Sequence, residues 1–387
     1  MTVRRLIFWL HLAVGLSVGL VVAFLALTGS LLAFQSQITA WSERDLRIAH
    51  VAPAETCIAP SQLLANAASS AHRAPTSLRV FADRHRPAEV TFGRDLVLLV
   101  NPCSGAVVST DAGRLRAFFL DVTDLHRWVA LQGVRHETLR SLKNVAVAAL
   151  LLMLISGLII WVPRQLSWKH LKPTVLLNLG KRGRAREWNL HNVFGIWSLI
   201  PLLVIVGTGL IMAYPWANDL LYRASGTPAP PSRPVAERKT GKPLDPAKYA
   251  KLDPAIDRAI TQDAQWASVL IRVPAEKETT VSFTLDEGSG GRPQQRAQLS
   301  LDLQTLQVLK WEPFAAATRG RQWRMYARYL HTGELLGLTG QIVALLACLS
   351  LLVLVGTGFL LSVRRASAWR RRRVLAATRS KLQEVSA

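Results

Sequence analysis

Hydrophobic residues in this chain concentrate in four long blocks that contain no Asp, Glu, Lys or Arg. The blocks are Leu6–Phe34, Val145–Val162, Val193–Tyr214 and Ile342–Val363. A charge-free apolar run of about 18 residues or more is long enough to cross a bilayer as a helix. The pattern therefore predicts four transmembrane helices and excludes a simple soluble enzyme.

The two long stretches between these blocks have the pattern of small α+β units. Helical patterns cover residues 60–73, where Ser61 is a candidate N-cap, and 253–262. Short runs of β-forming residues lie at 78–81, 89–92 and 96–100, and again at 268–273, 279–285, 298–303 and 307–310. Residues 224–246, rich in Pro and Gly, read as a linker. The fold class predicted is thus an α+β membrane protein.

Charge orients these segments. The chain has 387 residues with 47 Lys plus Arg, 25 Asp plus Glu and a formal net charge of +22. With the N-terminus in the cytoplasm, the inside segments 1–5, 164–190 and 364–387 hold 17 of the basic residues and only two acids, Glu187 and Glu384. This positive-inside pattern predicts a bacterial inner-membrane protein with both termini in the cytoplasm and two periplasmic domains.

Two features of the ends follow from the same reasoning. The basic tail is typical of a topology anchor on the anionic lipid bilayer, so we expect no nucleic-acid partner despite the high pI. The first block is too long for the apolar core of a cleaved signal peptide, so we expect a retained anchor helix.

The predicted organisation has eight segments: transmembrane helix 1 (6–34), periplasmic domain 1 with a re-entry segment (35–143), transmembrane helix 2 (144–163), a cytoplasmic basic loop (164–190), transmembrane helix 3 (191–214), a linker with periplasmic domain 2 (215–340), transmembrane helix 4 (341–363) and the basic cytoplasmic tail (364–387).

The two halves of the chain repeat one set of motifs. Leu10-His11 precedes Leu27-Thr28-Gly29, and Leu190-His191 precedes Gly207-Thr208-Gly209 at the same spacing from histidine to second glycine. Leu125-His126 and Leu330-His331 precede the second and fourth blocks, which contain Ser156-Gly157 and Gly356-Thr357-Gly358. The chain therefore looks like two copies of helix–outside domain–helix, related by a pseudo-twofold axis along the membrane normal.

Four of the nine histidines occupy equivalent places in this duplication. The axis would bring His11 opposite His191 on the cytoplasmic side, and His126 opposite His331 near the periplasmic face. Facing imidazoles between apolar helices are what bis-histidine haem ligation requires. Glycines at positions 15, 29, 195 and 209 would give a flat macrocycle room, although close helix packing also favours them.

Competing interpretations of these residues stay open at this point. A single histidine near a membrane border is more often interfacial or hydrogen-bonded than a metal ligand, and His136 could take the place of His126. No C-x-x-C-H motif occurs, which excludes covalent c-type haem. No hydrolase, ATPase or nucleotide-cofactor motif occurs either.

The cysteines are consistent with an extracytoplasmic first domain. Cys57 and Cys103 both lie in that domain, where an oxidising compartment permits a disulfide between them. Cys348 lies within the fourth block, and we expect it to be a packed side chain.

These motifs carry a resemblance that covers nearly the whole chain. The histidine and glycine motifs around His11, His126 and His191 are similar to those of the PepSY-associated transmembrane helix family of iron-regulated inner-membrane proteins. The most specific match is Leu330-His331-Thr332-Gly333-Glu334, followed by Gly337 and Gly340. By length and layout the chain resembles the members that reduce ferric siderophores.

The resemblance implies a function and a ligand set. It implies PepSY-like periplasmic units and two non-covalent haem b groups held by His11, His191, His126 and His331. It also implies that electrons pass from a cytoplasmic or quinol donor to a periplasmic ferric siderophore, which releases Fe(II). The alternatives are a siderophore or iron permease without catalysis, which would need broken or polar mid-membrane helices, and a regulatory membrane scaffold of the PepSY type.

Overall fold

The computed structural model describes residues 2–46, 57–93, 96–109, 111–128, 136–230 and 244–385. The chain folds as two copies of the same succession of elements, joined by a short helix. The first copy contains α1 (Val3–Leu32), α2 (Gln35–Ser42), α3 (Pro60–Ala71), β1 (Ser77–Phe81), β2 (Ala88–Phe92), β3 (Leu96–Val100), β4 (Val107–Ser109), α4 (Asp111–Trp128) and α5 (His136–Trp161). The connecting helix is α6 (Trp168–Val175). The second copy contains α7 (Gly183–Ala213), α8 (Pro215–Ala224), α9 (Asp253–Gln262), β5 (Ser268–Arg272), β6 (Thr280–Asp286), β7 (Arg296–Asp302), β8 (Val308–Pro313), α10 (Arg319–Thr332) and α11 (Gly337–Val385).

Four helices, α1, α5, α7 and α11, are long and apolar enough to cross a membrane. Large apolar side chains on their outer surfaces stay exposed, among them Leu20 at 78% and Ile200 at 74%. Such exposure over whole helices is stable only where lipid covers the surface. The chain is therefore a multi-pass membrane protein, as the four apolar blocks predict.

The spanning helices form a four-helix bundle. Each of α1 and α7 packs against both α5 and α11, so α1 and α7 lie diagonally opposite one another. All four helices contribute to the buried core of the bundle: Val18, Val22, Ala26, Ala146, Leu150, Leu154, Leu202, Val206, Ala347 and Leu351. The diagonal relation of α1 to α7 is what a twofold axis along the bundle produces.

The β-strands of both copies join into one eight-stranded antiparallel sheet in the order β4-β3-β2-β1-β5-β6-β7-β8. The two copies meet where β1 pairs with β5, with Ser77 opposite Arg272 and Phe81 opposite Ser268. The order is symmetrical about this pair, since each strand and its counterpart lie equally far from the junction. The two units that lie outside the helix bundle are thus two halves of one continuous sheet, and we call them together the sheet domain.

The core of the sheet domain lies between this sheet and the helices α3 and α9. Alternate residues of the strands point inward, as in β7, where Ala297, Leu299 and Leu301 are buried. They meet apolar residues of the helices, including Leu64 and Ile256, which are fully buried. Burying one face of each strand is what fixes the register of such a sheet.

Ser61 does not cap α3, contrary to the sequence-based expectation, because the helix begins one residue before it with Ala59 as N-cap. Instead, the Ser61 amide and hydroxyl donate to the two carboxylate oxygens of Asp253, at 2.9 and 2.5 Å. Asp253 is the first residue of α9. The contact therefore joins the N-terminal ends of the two equivalent helices across the junction of the copies.

The predicted helices and strands of the outside stretches are confirmed to within a few residues, and β4 is an additional strand. Helix α11 runs well past the apolar block and includes most of the basic tail. The tail sequence is rich in Ala, Arg and Leu and has no Gly or Pro after Gly358, so nothing in it ends the helix. Residues 231–243, in the predicted linker, lie outside the described residues.

On the predicted cytoplasmic side, side-chain contacts hold the connecting segment to the bundle. Asn189 is fully buried and donates to the carbonyls of Pro173 and Leu176, at the end of α6. Glu187 is 5% exposed and forms an ion pair with Arg364 of α11 at 2.7 Å. These contacts link α6, α7 and α11 where the basic segments meet the membrane.

Two arginines in equivalent positions attach α4 and α10 to the rest of the sheet domain. Arg116, ten residues before His126, forms ion pairs with Glu43 at 2.6 Å and Glu89 at 2.9 Å. Arg321, ten residues before His331, forms an ion pair with Glu312 of β8. Both helices are therefore fixed by an arginine about three turns before the histidine.

We expect Arg116→Gln to destabilise the protein by about 2 kcal/mol at neutral pH, because it leaves two largely buried carboxylates without their partner. Burial would raise the pKa of Glu89, but the guanidiniums of Arg116 and Arg79 outweigh this effect and lower it. The stabilisation is therefore present above the ordinary pKa of 4.5 and is lost as the pH falls through the lower folded value.

Thermal unfolding in detergent between pH 3 and pH 8 measures this difference. Arg258→Gln is the matched control because Arg258 is exposed on α9. A stability gap between wild type and Arg116→Gln that does not narrow at acid pH would contradict the assigned role of the ion pairs.

Candidate functional site

The four equivalent histidines lie on four different helices. His11 is on α1 and His191 on α7, while His126 is near the end of α4 and His331 near the end of α10. All four imidazoles are half-buried. Each copy of the fold thus supplies one histidine from its first spanning helix and one from the helix that leads to its second spanning helix.

Every one of these imidazoles contacts a hydroxyl group on a neighbouring spanning helix of its own half. The Nδ1 atom of His11 lies 2.8 Å from Ser156 Oγ, and that of His126 lies 2.9 Å from Thr28 Oγ1. In the second half, His191 Nδ1 lies 3.0 Å from Thr357 Oγ1, and His331 Nδ1 lies 3.3 Å from Thr208 Oγ1. The same contact therefore occurs four times.

The helix backbone decides which ring nitrogen carries the proton. Each hydroxyl donates its single hydrogen to a carbonyl three or four residues earlier in its own helix, as Thr28 does to Phe24 at 2.9 Å. It can then only accept a hydrogen bond from the imidazole. His331 Nδ1 also lies 2.9 Å from the carbonyl of Ile205, which can only accept. This arrangement favours the proton on Nδ1 and leaves the lone pair of Nε2 available.

A glycine follows each of these hydroxyl residues and lets the imidazole come close. A Cβ added at Gly29 or Gly209 would lie 3.3 Å from the Cε1 atom of His126 or His331. At Gly157 it would lie 3.4 Å from His11 Cε1, and at Gly358 it would lie 3.6 Å from His191 Cε1. The hydroxyl–glycine pair thus serves as a seat, with one residue accepting the hydrogen bond and the next giving the ring room.

The structure brings the outer histidines together. The ring centroids of His126 and His331 are 6.2 Å apart, and the ring planes are tilted by 55°. Two imidazoles bound to opposite sides of one metal ion would have centroids about 6.3 Å apart, since each metal–nitrogen bond is about 2.0 Å long. His11 and His191 are also close enough to interact electrostatically. The fold thus places His126 beside His331, and His11 within electrostatic range of His191.

The residues of each pair fit a bis-histidine haem. Histidine ligands of metals almost always donate their other ring N–H to a fixed acceptor, as all four do here. Among the described residues, no group of three or more His, Cys, Asp or Glu lies together as a site for a bare metal ion. Two imidazoles suit an iron whose remaining donors come from a porphyrin. An apolar cavity of about 190 Å³ beside His11 and Ser156 opens between α1 and α5.

Comparison with known proteins agrees with this architecture. The PepSY-associated TM region matches residues 8–365, which is nearly the whole chain. The chain belongs to the PepSY-associated TM family. Membership indicates an iron-related membrane protein. No curated protein matches the chain.

In this member of the PepSY-associated TM family, the structure also places the alternative ligand His136 and the two glycines that the sequence suggested would give a haem room. His136 is the first residue of α5, and its side chain lies outside the described ones, while His126 occupies the seat formed by Thr28 and Gly29. A Cβ added at Gly15 would lie 2.9 Å from Met153 Cε, and one added at Gly195 would lie 3.6 Å from Leu354 Cδ2, so both glycines take part in close helix packing.

Sequence reasoning missed Lys143 and the hydroxyl acceptors. Lys143 of α5 lies within electrostatic range of both His126 and His331. The hydroxyl acceptors had a detectable signal, since each precedes a glycine in the repeated motifs. Of the basic residues near the outer pair, Arg324 donates to Asn218 at 3.1 Å and Arg328 is exposed.

Two of the three cysteines lie in the sheet domain, and the third lies in the helix bundle. Cys57 and Cys103 form a disulfide that ties the segment before α3 to the turn between β3 and β4. Cys348 is a free, half-buried thiol on α11. Its sulfur would lie 3.5 Å from a Cβ at Gly29, so it packs beside the seat of His126.

Replacing Ser156 with Ala removes the hydroxyl acceptor of His11 Nδ1–H and leaves the ring less firmly oriented. We expect the affinity of the His11–His191 pair for haem to fall about 10-fold, the usual cost of losing such a support. Titration of haem-free protein with haem, followed by absorbance, measures the affinity. Ser17→Ala is the matched control, because the Ser17 hydroxyl bonds to the carbonyl of Ala13 in its own helix. Equal affinities for both variants would show that the hydroxyl does not orient the ring.

Proposed function

We propose that this protein is a di-haem reductase of the bacterial inner membrane that passes electrons across the membrane to a periplasmic ferric siderophore. In this proposal both termini are cytoplasmic and the eight-stranded sheet is periplasmic. The observation that carries it is the fourfold repeat of a histidine seated on a hydroxyl–glycine pair, arranged as two facing pairs.

The two pairs lie at the two ends of the bundle. His11 and His191 lie on spanning helices near the basic segments, whereas His126 and His331 lie on helices attached to the sheet domain. Haem held by the two histidines of a pair would supply a one-electron carrier at each level. Two such levels divide the apolar thickness of the membrane, which an electron would otherwise have to cross in one step.

The protein's own groups hold and orient the ligands. The four hydroxyls keep the Nδ1 proton in place, so that Nε2 is the ligating atom of each ring. The apolar side chains of α1, α5, α7 and α11 exclude water between the two levels. Arg116 and Arg321 fix α4 and α10, and with them the outer histidines, to the sheet domain.

The proposed reaction adds one electron to each ferric ion. The donor is a cytoplasmic reductant or a membrane quinol, and a quinol, which gives up two electrons, would reduce two ferric chelates. Reduction lowers the charge on iron from +3 to +2, so hard oxygen donors hold the ion less tightly and release it as Fe(II). The membrane orientation that the basic segments predict places this release in the periplasm.

The permease alternative has less support. It would need interrupted spanning helices that line a polar site at mid-membrane. Helix α7, which contains the mid-helix proline Pro201, runs without a break from Gly183 to Ala213. A regulatory scaffold would leave the fourfold repeat of seated histidines without a role.

Replacing His331 with Ala removes one of the two outer ligands. We expect the purified variant to contain about half of the haem of the wild type and to lose most of its ferric-siderophore reductase activity. The measurements are haem per chain from the optical spectrum and the rate of Fe(II) appearance with dithionite-reduced protein.

His136→Ala is the matched control. It removes a histidine that lies ten residues after His126 in the chain, and it leaves the four histidines of the hydroxyl–glycine seats in place. It should keep both haems. A colourless wild-type protein that is folded and made with haem available would refute the proposed function, and a fully loaded His331→Ala variant would refute the ligand assignment.

A further inference from the structure

Among the described residues, the two copies of the fold differ in the connection between the second and third strands of each half. Strands β2 and β3 of the first copy are joined by residues 93–95, whereas their counterparts β6 and β7 are joined by the much longer segment 287–295. The longer connection is therefore specific to the second copy. We name residues 287–295 the β6–β7 loop.

This loop is held firmly over α10. Asp286, which is 5% exposed, accepts from Arg296 at 2.7 Å and from the amide of Gly288 at 2.8 Å. Arg296 donates to the carbonyl of Gly290 at 2.8 Å and lies 5.6 Å above the ring of Tyr329. Both ends of the loop are thus fixed. Arg296, at the C-terminal end of the loop, lies over Tyr329, which precedes His331 by two residues in the chain.

The tip of the loop reaches the segment that follows His331. Gln294 donates to the hydroxyl of Tyr326 at 3.3 Å. A Cβ added at Gly291 would lie 3.6 Å from the Cβ of Glu334. Between the tip and this segment lies a cavity of about 440 Å³, lined by Arg292, Gln294, Gln295, Leu335 and Leu336. That volume is in the range that small-molecule sites occupy.

The lining indicates what the cavity binds. It offers one guanidinium and two side-chain amides, and no carboxylate lines it among the described residues. Arg292 is exposed and has no ion pair among the described residues. The exposed Leu336 supplies an apolar wall. A cationic, hydrogen-bonding site with an apolar side suits a compact anion that carries oxygen atoms and flat apolar rings.

The cavity is also close to the outer histidine pair along the chain. Leu335 follows His331 by four residues, which limits the separation of their Cα atoms to about 14 Å. The left-handed backbone of Gly333, with φ of 77°, turns the chain sharply within that interval. The lining residue Leu335 therefore lies within this short reach of His331, one of the residues proposed to hold the outer haem.

We infer that this cavity is the docking site for the electron acceptor and that it prefers anionic ferric chelates with oxygen donors, such as tris-catecholates, with Arg292 as the specificity-determining residue. The inference rests on the proposed function for the identity of the acceptor. An iron(III) ion held by three catecholate dianions carries three negative charges, which the guanidinium of Arg292 attracts.

A redox-inert probe separates docking from electron transfer. Gallium(III) tris-catecholate has the shape and charge of the iron complex but accepts no electron under these conditions. We expect it to bind the full-length protein in detergent, as measured by tryptophan fluorescence, and Arg292→Gln to weaken this binding about 10-fold. Arg258→Gln, a change at an exposed arginine on α9, is the matched control and should bind as the wild type does.

Steady-state kinetics with the reducible iron(III) complex tests the same role of Arg292. With the iron(III) complex, Arg292→Gln should raise KM about 10-fold, keep kcat near the wild-type value and leave the haem content unchanged. Gln294→Ala, which removes one amide donor from the lining, should raise KM by a smaller factor. Both effects should shrink for a neutral ferric trihydroxamate, which lacks the charge that Arg292 attracts.

The outcomes distinguish this inference from the proposed function. Normal haem content and reduction, with equal gallium-complex binding by wild type and Arg292→Gln, would overturn the site and leave the reductase in place. Binding that depends on Arg292 in a protein without haem would support the site and refute the reductase. An effect of Arg292→Gln that occurs only in nanodiscs containing anionic lipid would assign the residue to the membrane surface and overturn the inference.

Discussion

An imidazole inside an apolar bundle must have its N–H group satisfied by the protein, and most of this structure depends on how that requirement is met. Water is scarce there, and an unpaired polar group costs several kcal/mol. The protein uses one solution four times, with a serine or threonine hydroxyl as acceptor and a glycine directly after it. Because the hydroxyl gives its own hydrogen to its helix, the contact favours the imidazole tautomer with the proton on Nδ1. The same contact that satisfies the ring therefore directs its free nitrogen.

This requirement also sets the spacing of the helices. A Cβ at Gly29 or Gly209 would lie 3.3 Å from the edge of the imidazole, so the ring would have to shift by a few tenths of an ångström. For the outer pair, the histidines lie on helices whose other ends are fixed by arginines to the sheet domain. The junction of β1 with β5 then fixes one half of the molecule against the other. The 6.2 Å separation of His126 and His331 is thus controlled partly from outside the membrane.

Much of this architecture could be predicted from local patterns. The four apolar blocks, the strands and the two equivalent helices on the sheet follow from hydrophobic periodicity, and the repeated Leu-His motifs indicated which histidines correspond. Contacts between distant segments could not be predicted in this way. Alternation in β1 shows that it has one buried face, but not that its edge pairs with β5 of the other copy. Ser61 looks like a local cap by sequence, and only the fold reveals Asp253 as its partner. The acceptor roles of Thr28 and Ser156 could not be predicted either, because each requires a histidine from another helix.

Departures from the internal symmetry carry information that the symmetry itself does not. The two copies agree at the four histidine seats, so the same contact occurs at both ends of the bundle. A contact that is the same at both ends cannot set the direction of any electron transfer. Direction must come from features that distinguish one end from the other. The basic segments and the Glu187–Arg364 pair mark one end, and the sheet marks the other. Within the sheet domain, the two copies differ at the β6–β7 loop, which lies over the segment that follows His331. A small acceptor binds as a single molecule, so a site for it needs only one copy of such a loop. Selection for acceptor binding would therefore alter one copy, while selection for paired ligands would preserve both.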